Sequence, residues 1–565
     1  LETFLKTTLP REDPAASPPL PRRNRSATVA ELALAAVLSA AAVALHLHFF
    51  VSAGPMWRDE AATLAVATSP TLHDLWTHLR FDSFPLAWEI IVRLWAAAGP
   101  GTTDQGARLF GLIVGVGIVS ALWRNARRMG AVSPLASLAL LEFTGITVFY
   151  GDSIRGYGLG MLLGLISFGS IWMLARSPTP ARAAAALAVS MLSVHVLFYN
   201  CVWLAAACCG GLAVCAIHRR WRAAGGILAI GFLCALSMLV YLPMIRGRAV
   251  FAPVLVHPTT PALVYRQLCI ALQSTPLRAT IPIQKVIWAT VVLAAVATAA
   301  IALLLHYLNP QEPSHTIGPT PSDLIAFNLV TLLIGIPAYV CFLIALRNYM
   351  QAWYFLAGMA MVAGCVDGLL APTAHRPVRA LLWAFTAAAA GYCFIPALHS
   401  AGVRISNIDL AADAIRASAH PDDLVILTPW WLDQPFVRHS HGPAPLVTFP
   451  PMPDLRYARY DLVVQAMSNP AAIEPVLSQT TRALQTGRRV WIVNVPWASV
   501  LTPDTARLTQ PRSTWHDTEF FILWNSQLGQ LLQRHSHIQA IALPSFGEVH
   551  RMENVQLLQA NGWHD

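Results

Sequence analysis

ATVAELALAAVLSAAAVALHLHFFVSAGPMWRDE (27–60) decides the fold class: about two dozen almost wholly apolar residues run straight into Trp57-Arg58-Asp59-Glu60. At 1.5 Å per residue such a run crosses the hydrocarbon core of a bilayer. It is too long for the h-region of a signal peptide. Residues 1–27 before it are polar, basic and Pro-rich, and read as a flexible cytoplasmic arm.

Working outward, apolar runs recur at about 107–123, 131–150, 156–175, 183–199, 200–217, 223–243, 284–306, 324–346, 351–370 and 379–396, giving eleven expected spans. The 565-residue chain is 55% hydrophobic and only 12% charged, too little polar surface for a soluble protein of this length. Residues 1–395 carry a net charge of +11 and the remainder −2, so the overall +9 follows membrane topology and gives no nucleic-acid signal. With the N-terminus in the cytoplasm, 15 basic residues fall in the arm and in short inner loops (Arg124, Arg127, Arg128, Arg176 and Arg182 among them), as the positive-inside rule requires. Counting PLAWEIIVRLWAAAG (85–99) as a span would invert everything after it, so this stretch is assigned to a helix lying at the interface. The nine cysteines match no metal spacing and read as small buried hydrophobes.

The expected architecture is therefore a polytopic all-α membrane domain, 28–396, with about 11 transmembrane helices. Juxtamembrane helices fill a first outer loop (51–106), and a second large outer loop covers 244–283. An extracytoplasmic α/β domain (397–565) follows. Within it DLVILTP, RRVWIVNVP and IQAIALP read as strands, while NIDLAADAIRASA, a stretch near 468–485 and HDTEFFILWNSQLGQLLQRHS read as helices.

Polar residues capable of chemistry collect on the outer side. Asp59 and Glu60 follow the first span, and an acidic pair there can supply a general base or metal ligands. Asp82 precedes the interfacial helix. Asp152 and Arg155 stand three apart at the junction of the third and fourth spans, and the planar donors of Arg155 suit a phosphate. His195 lies toward the outer end of the fifth span, and Arg347 between the ninth and tenth is a second candidate anion binder. Glu142, inside the third span, must face polar partners or stay neutral. Carboxylates and arginines at the outer leaflet suit a substrate with a lipid tail and a phosphate head; a transporter more often places its polar groups at mid-membrane. In the C-terminal domain Trp430, Trp431, Trp491, Trp497, Trp515, Trp524 and Trp563 offer stacking surfaces for sugar rings, though most are expected in the core. The Trp430-Trp431 pair after DLVILTP has the best claim as a platform.

This pattern resembles the GT-C glycosyltransferases of the protein-O-mannosyltransferase superfamily (glycosyltransferase family 39-like), on the branch that includes bacterial lipid A aminoarabinose transferases. The resemblance rests on WRDEA (57–61), on Asp82-Ser83-Phe84-Pro85-Leu86 with Phe84 where a proline is usual, and on Arg108. It continues with Asp152-Ser153-Ile154-Arg155-Gly156-Tyr157, with Gly156 replacing a proline, then His195, Tyr241-Leu242-Pro243 and Arg347-Asn348-Tyr349 with an inserted Asn. It is good over 28–250, thinner to 396 and architectural beyond.

The resemblance implies an inverting transfer from a polyprenyl-phosphate sugar to an acceptor hydroxyl on a glycan, lipid or protein, at the outer face of a bacterial inner membrane. Asp59 would be the general base and Glu60 would orient it or serve the acceptor. Arg155 would hold the lipid phosphate with Arg347 in support. Asp152 would contact the sugar or anchor Arg155, Asp82 would position the first outer loop, and Arg108 and Tyr157 would line the substrate site. Some members use a divalent ion; here its ligands would be Asp59, Asp152 and His195. A lipid-linked sugar flippase and a non-catalytic assembly subunit on the same fold are the alternatives.

Overall fold

The computed structural model describes residues 25–273, 283–308, 320–372, 376–494, 516–544 and 546–565. Almost all of the arm, part of the second outer loop, and Trp497 and Trp515 lie outside them.

Among the described residues nine helical stretches are long and apolar enough to cross a membrane, from Ser26–Ser52 to Arg379–Ala401. Two of the eleven expected spans take other forms. The fifth is a 17-residue apolar helix, Pro180–Val196, started by Pro180 and by Thr179, whose hydroxyl accepts from the Arg182 N–H. The third is broken into Leu135–Ser137, a wide π turn at Leu138–Glu142, and Gly145–Gly151. Its residues are buried throughout, and irregular backbone at membrane depth is tolerated only inside protein. The last span continues through Pro396 to Ala401, five residues beyond the expected end.

The first outer loop folds as three juxtamembrane helices: Arg58–Ala67, Leu72–His78 and Leu86–Ala97. The third is the expected interfacial helix. Arg93 on it caps the first by donating to the carbonyls of Ala67 and Ser69.

The C-terminal domain is a five-stranded sheet with helices on both faces. Its strands are β1 (Leu424–Leu427), β2 (Leu446–Thr448), β3 (Val490–Val493), β4 (His537–Ile541) and β5 (Leu557–Asn561), in the order β2-β1-β3-β5-β4. β1 is parallel to β2 and β3, whereas β5 is antiparallel to β3 and β4. Alternation along the strands builds two cores. Leu424, Ile426, Val490 and Ile492 pack with Phe520, Trp524 and Leu528, while Val425, Leu427, Trp491 and Val493 pack with Ile408, Ile415 and Phe436.

This domain sits on the end of the bundle that carries Asp59. Arg438 Nε donates to Asp104 at 2.7 Å, the Ile405 N–H to the Ala53 carbonyl at 2.8 Å, and the Arg58 N–H to Glu553 Oε1 at 2.7 Å. Tyr457 stacks on His78 with ring centroids 3.9 Å apart.

Candidate active site

Trp57 N-caps the first juxtamembrane helix, and Glu60 in its first turn accepts the Trp57 N–H at 3.2 Å. That turn separates the two adjacent acids. Glu60 is fully buried, bound by both Nη atoms of Arg108 and by the Ile154 N–H at 2.8 Å. Arg108 is buried with it and also donates to the Pro55 carbonyl. Asp59 instead keeps about a third of its side chain exposed. Among the described residues its carboxylate has only Arg58 Nε, at 3.6 Å, as an ionic partner.

Arg155 ties this turn to the next loop. Its Nη1 donates to the Asp59 carbonyl at 2.9 Å and to Thr63 Oγ1 at 2.7 Å, and lies 3.2 Å from Asp82 Oδ1. Thr63 in turn donates to Asp82 Oδ2 at 2.6 Å. Among the described residues Nη2 donates to no protein group. The guanidinium stacks over Phe84 at 4.5 Å. The two departures from the family pattern fit one another here: a Cβ on Gly156 would lie 2.5 Å from the Phe84 ring, so the larger residue occupies the room left by the smaller. Beside Asp82 sits Glu89, fully buried and facing the Asp82 carboxylate with no cationic ion-pair partner among the described residues. Burial first, then the Asp82 charge, holds it well above the usual carboxylate range.

Tyrosines pack beside these residues. Tyr157 lies edge-to-face with Phe84 at 5.0 Å, and Tyr157, Tyr199 and Tyr354 form a cluster with centroids 5.4–6.5 Å apart. From the C-terminal domain comes Tyr460, packed on Phe251 and Trp430. Burial and the Asp59 carboxylate push its hydroxyl up to about 12, against the opposing pull of Arg248, Arg58 and Arg155. Arg248 also acts on Tyr199 and Tyr354. Its nearest polar contact is Ser83 Oγ at 3.5 Å, and it forms no ion pair among the described residues. Below the tyrosines Tyr339 donates to the Tyr354 carbonyl and reaches an almost wholly apolar cavity of about 470 Å³ lined also by Trp203, Trp288, Ile336 and Phe355.

The expected metal ligands do not come together. Asp152 Oδ2 is 2.7 Å from His46 Nδ1, and His46 Nε2 is 3.1 Å from Glu142, which supplies the polar partner Glu142 needs. His195 contacts the Tyr241 hydroxyl at 2.8 Å and Ser237 Oγ at 3.0 Å, and Tyr241 accepts the Leu86 N–H. No group of three His, Cys, Asp or Glu is placed to hold an ion among the described residues. Asp152 and His195 are committed to other partners, and the ligand set Asp59, Asp152 and His195 is withdrawn. Arg347 is exposed in a left-handed conformation and joins none of these ion pairs.

Three participants went unread in the sequence. His46 was legible as a polar residue inside an apolar run, but Arg248 and Tyr460 belong to no motif.

The sequence matches no known protein family and no curated protein. Solved structures do match. ArnT from Cupriavidus metallidurans bound to undecaprenyl phosphate is 12% identical over 94% of this chain and 98% of that one, with a TM-score of 0.50. The chain has the GT-C fold. An Archaeoglobus fulgidus oligosaccharyltransferase tethered with an acceptor peptide aligns over 94% of this chain and 74% of that one, at 10% identity and a TM-score of 0.46. At such identities the likeness to GT-C structures is one of fold, and the chemistry rests on the residues.

Proposed function

We propose that this multi-pass membrane protein is an inverting glycosyltransferase. It moves a sugar from a polyprenyl-phosphate donor to an acceptor hydroxyl at the periplasmic face of a bacterial inner membrane, with its N-terminus in the cytoplasm and its C-terminal domain outside. One observation carries the reading: a partly exposed carboxylate, Asp59, with no protein hydrogen bond among the described residues, has its own carbonyl pinned by a buried arginine with an uncommitted donor, Arg155.

Asp59 takes the acceptor O–H proton as that oxygen attacks the anomeric carbon. The C1–O bond to phosphate breaks, and the polyprenyl phosphate leaves with the electron pair. Arg155 Nη2 and Arg248 receive the leaving charge, while the apolar cavity beneath the tyrosines suits the prenyl chain. The ArnT structure bound to undecaprenyl phosphate supports this class of donor. Glu60, with Arg108, holds the helix that presents Asp59, and Asp82 aims Arg155. Asp152 and His195 brace the surrounding helices.

High-resolution mass spectrometry of lipids that copurify with the protein in mild detergent, before and after addition of polyprenyl phosphate, tests the donor. The reading expects retention by the wild type that falls at least tenfold in R155A and R248A. Equal retention in all three would overturn it.

A further inference from the structure

A second cavity, of about 310 Å³, lies between the C-terminal domain and the juxtamembrane helix that carries Asp59. Its floor is formed by Thr428 and Asn494, the residues that follow β1 and β3, so it sits at the carboxyl ends of adjacent parallel strands, where α/β domains bind ligands. Its size falls at the small end of the roughly 300–1,000 Å³ range of ligand sites, enough for one sugar residue.

The lining pairs flat aromatic surface with fixed polar groups. Trp431, half-buried, lies edge-on to Phe521 at 4.9 Å, with the Arg58 guanidinium 5.3 Å from its ring. Asn525, buried, accepts the Thr428 hydroxyl through its carbonyl oxygen, and its amide nitrogen donates to no protein group among the described residues. Glu553 is 2% exposed. One of its oxygens takes the Arg58 N–H, and the other is buried, with the Ser406 hydroxyl as its neighbour among the described residues. Arg551 lines the rim with no ion partner among the described residues. Buried polar groups with spare hydrogen-bonding capacity are costly to leave unpaired, and a ligand rich in hydroxyls, both donor and acceptor, removes that cost while an aromatic face takes the C–H side of its ring.

From these placements we infer that this cavity is a saccharide subsite. Arg58 lines it and Asp59 is the next residue, so a sugar held there brings a hydroxyl of the same acceptor molecule toward the base. The acceptor is thus a glycan-bearing molecule; that assignment rests on the proposed transferase reading, whereas saccharide binding itself does not. Of the two tryptophans after β1, only Trp431 serves. Trp430 is 2% exposed and packs in the core.

The test is saturation-transfer-difference NMR on the full chain in nanodiscs, free of sugar detergents, with methyl glycosides of glucose, galactose, mannose, arabinose and N-acetylglucosamine as probes. At least one should give saturation transfer in the wild type and in D59N. Its affinity should fall tenfold or more in both W431A and R551A, with the melting temperature of R551A unchanged. Absence of transfer from all five probes, or binding that survives both substitutions, would overturn the subsite. Binding that depends on Trp431 and Arg551, in a protein that transfers no sugar, would uphold the subsite and remove only its acceptor role.

Discussion

Substituting Glu60 by glutamine should separate two acids that the sequence sets side by side. Glu60 has no exposed surface and accepts from Arg108 Nη1 and Nη2, the Ile154 N–H and the Trp57 N–H. The amide would remove the charge that neutralises a buried guanidinium and turn an N–H₂ toward donors. Breaking a buried ion pair from one side costs about 3–5 kcal/mol. At the roughly 2 °C per kcal/mol typical of larger domains, the melting temperature should fall by about 6–10 °C. D59N, at a partly exposed carboxylate with no hydrogen bond to lose, should stay within about 0.5 kcal/mol of the wild type. Replacing both Glu60 and Arg108 by methionine should recover much of the loss, because no uncompensated charge remains. Thermal unfolding of purified protein, followed by intrinsic fluorescence, reads all four. An E60Q protein that melts with the wild type, or a double variant that melts below E60Q, would refute the structural role of Glu60.

Two further predictions concern pH. Glu89 is held protonated by burial, so the folded state binds a proton that the unfolded state gives up above the ordinary carboxylate range, and native stability declines as pH rises beyond that range. E89Q removes this dependence, and its melting temperature should gain on the wild type as pH rises beyond the ordinary carboxylate range; parallel curves would contradict the assignment. His550, buried against Phe149, is pushed down to about 4 by desolvation, so its stabilisation is complete above the ordinary histidine range and is lost as pH falls toward 4. The full effect is about 3 kcal/mol. Protease sensitivity of the segment around residue 550 should rise on acidification in the wild type and not in H550F.

The apolar helices were legible because apolar length is a one-dimensional signal. So were β1, β3 and β4, whose apolar runs stand between turn residues. β2 and β5 were not read: LVT is three residues long, and LLQAN has a mixed pattern that only pairing with β3 and β4 defines. The third span was read as a plain helix, since the π turn at 138–142 is set by buried neighbours rather than by its own apolar sequence. At the site, the motifs around Asp59, Asp82 and Arg155 converge as their order suggested. What the sequence could not divide was Asp59 from Glu60, because Arg108, 48 residues away, takes one and leaves the other. Nor could it supply Arg248 or Tyr460, which come from different domains. The metal set failed for the same reason: Asp152 had a nearer partner in His46, across 106 residues.

The central claim is tested most directly by transfer from a radiolabelled polyprenyl-phosphate sugar to acceptors in a bacterial envelope extract, using wild-type and D59N protein reconstituted in liposomes. The account predicts transfer by the wild type and a loss of about 10²–10⁴-fold in D59N, with donor binding and melting temperature unchanged. D59N protein that transfers sugar at the wild-type rate would contradict it.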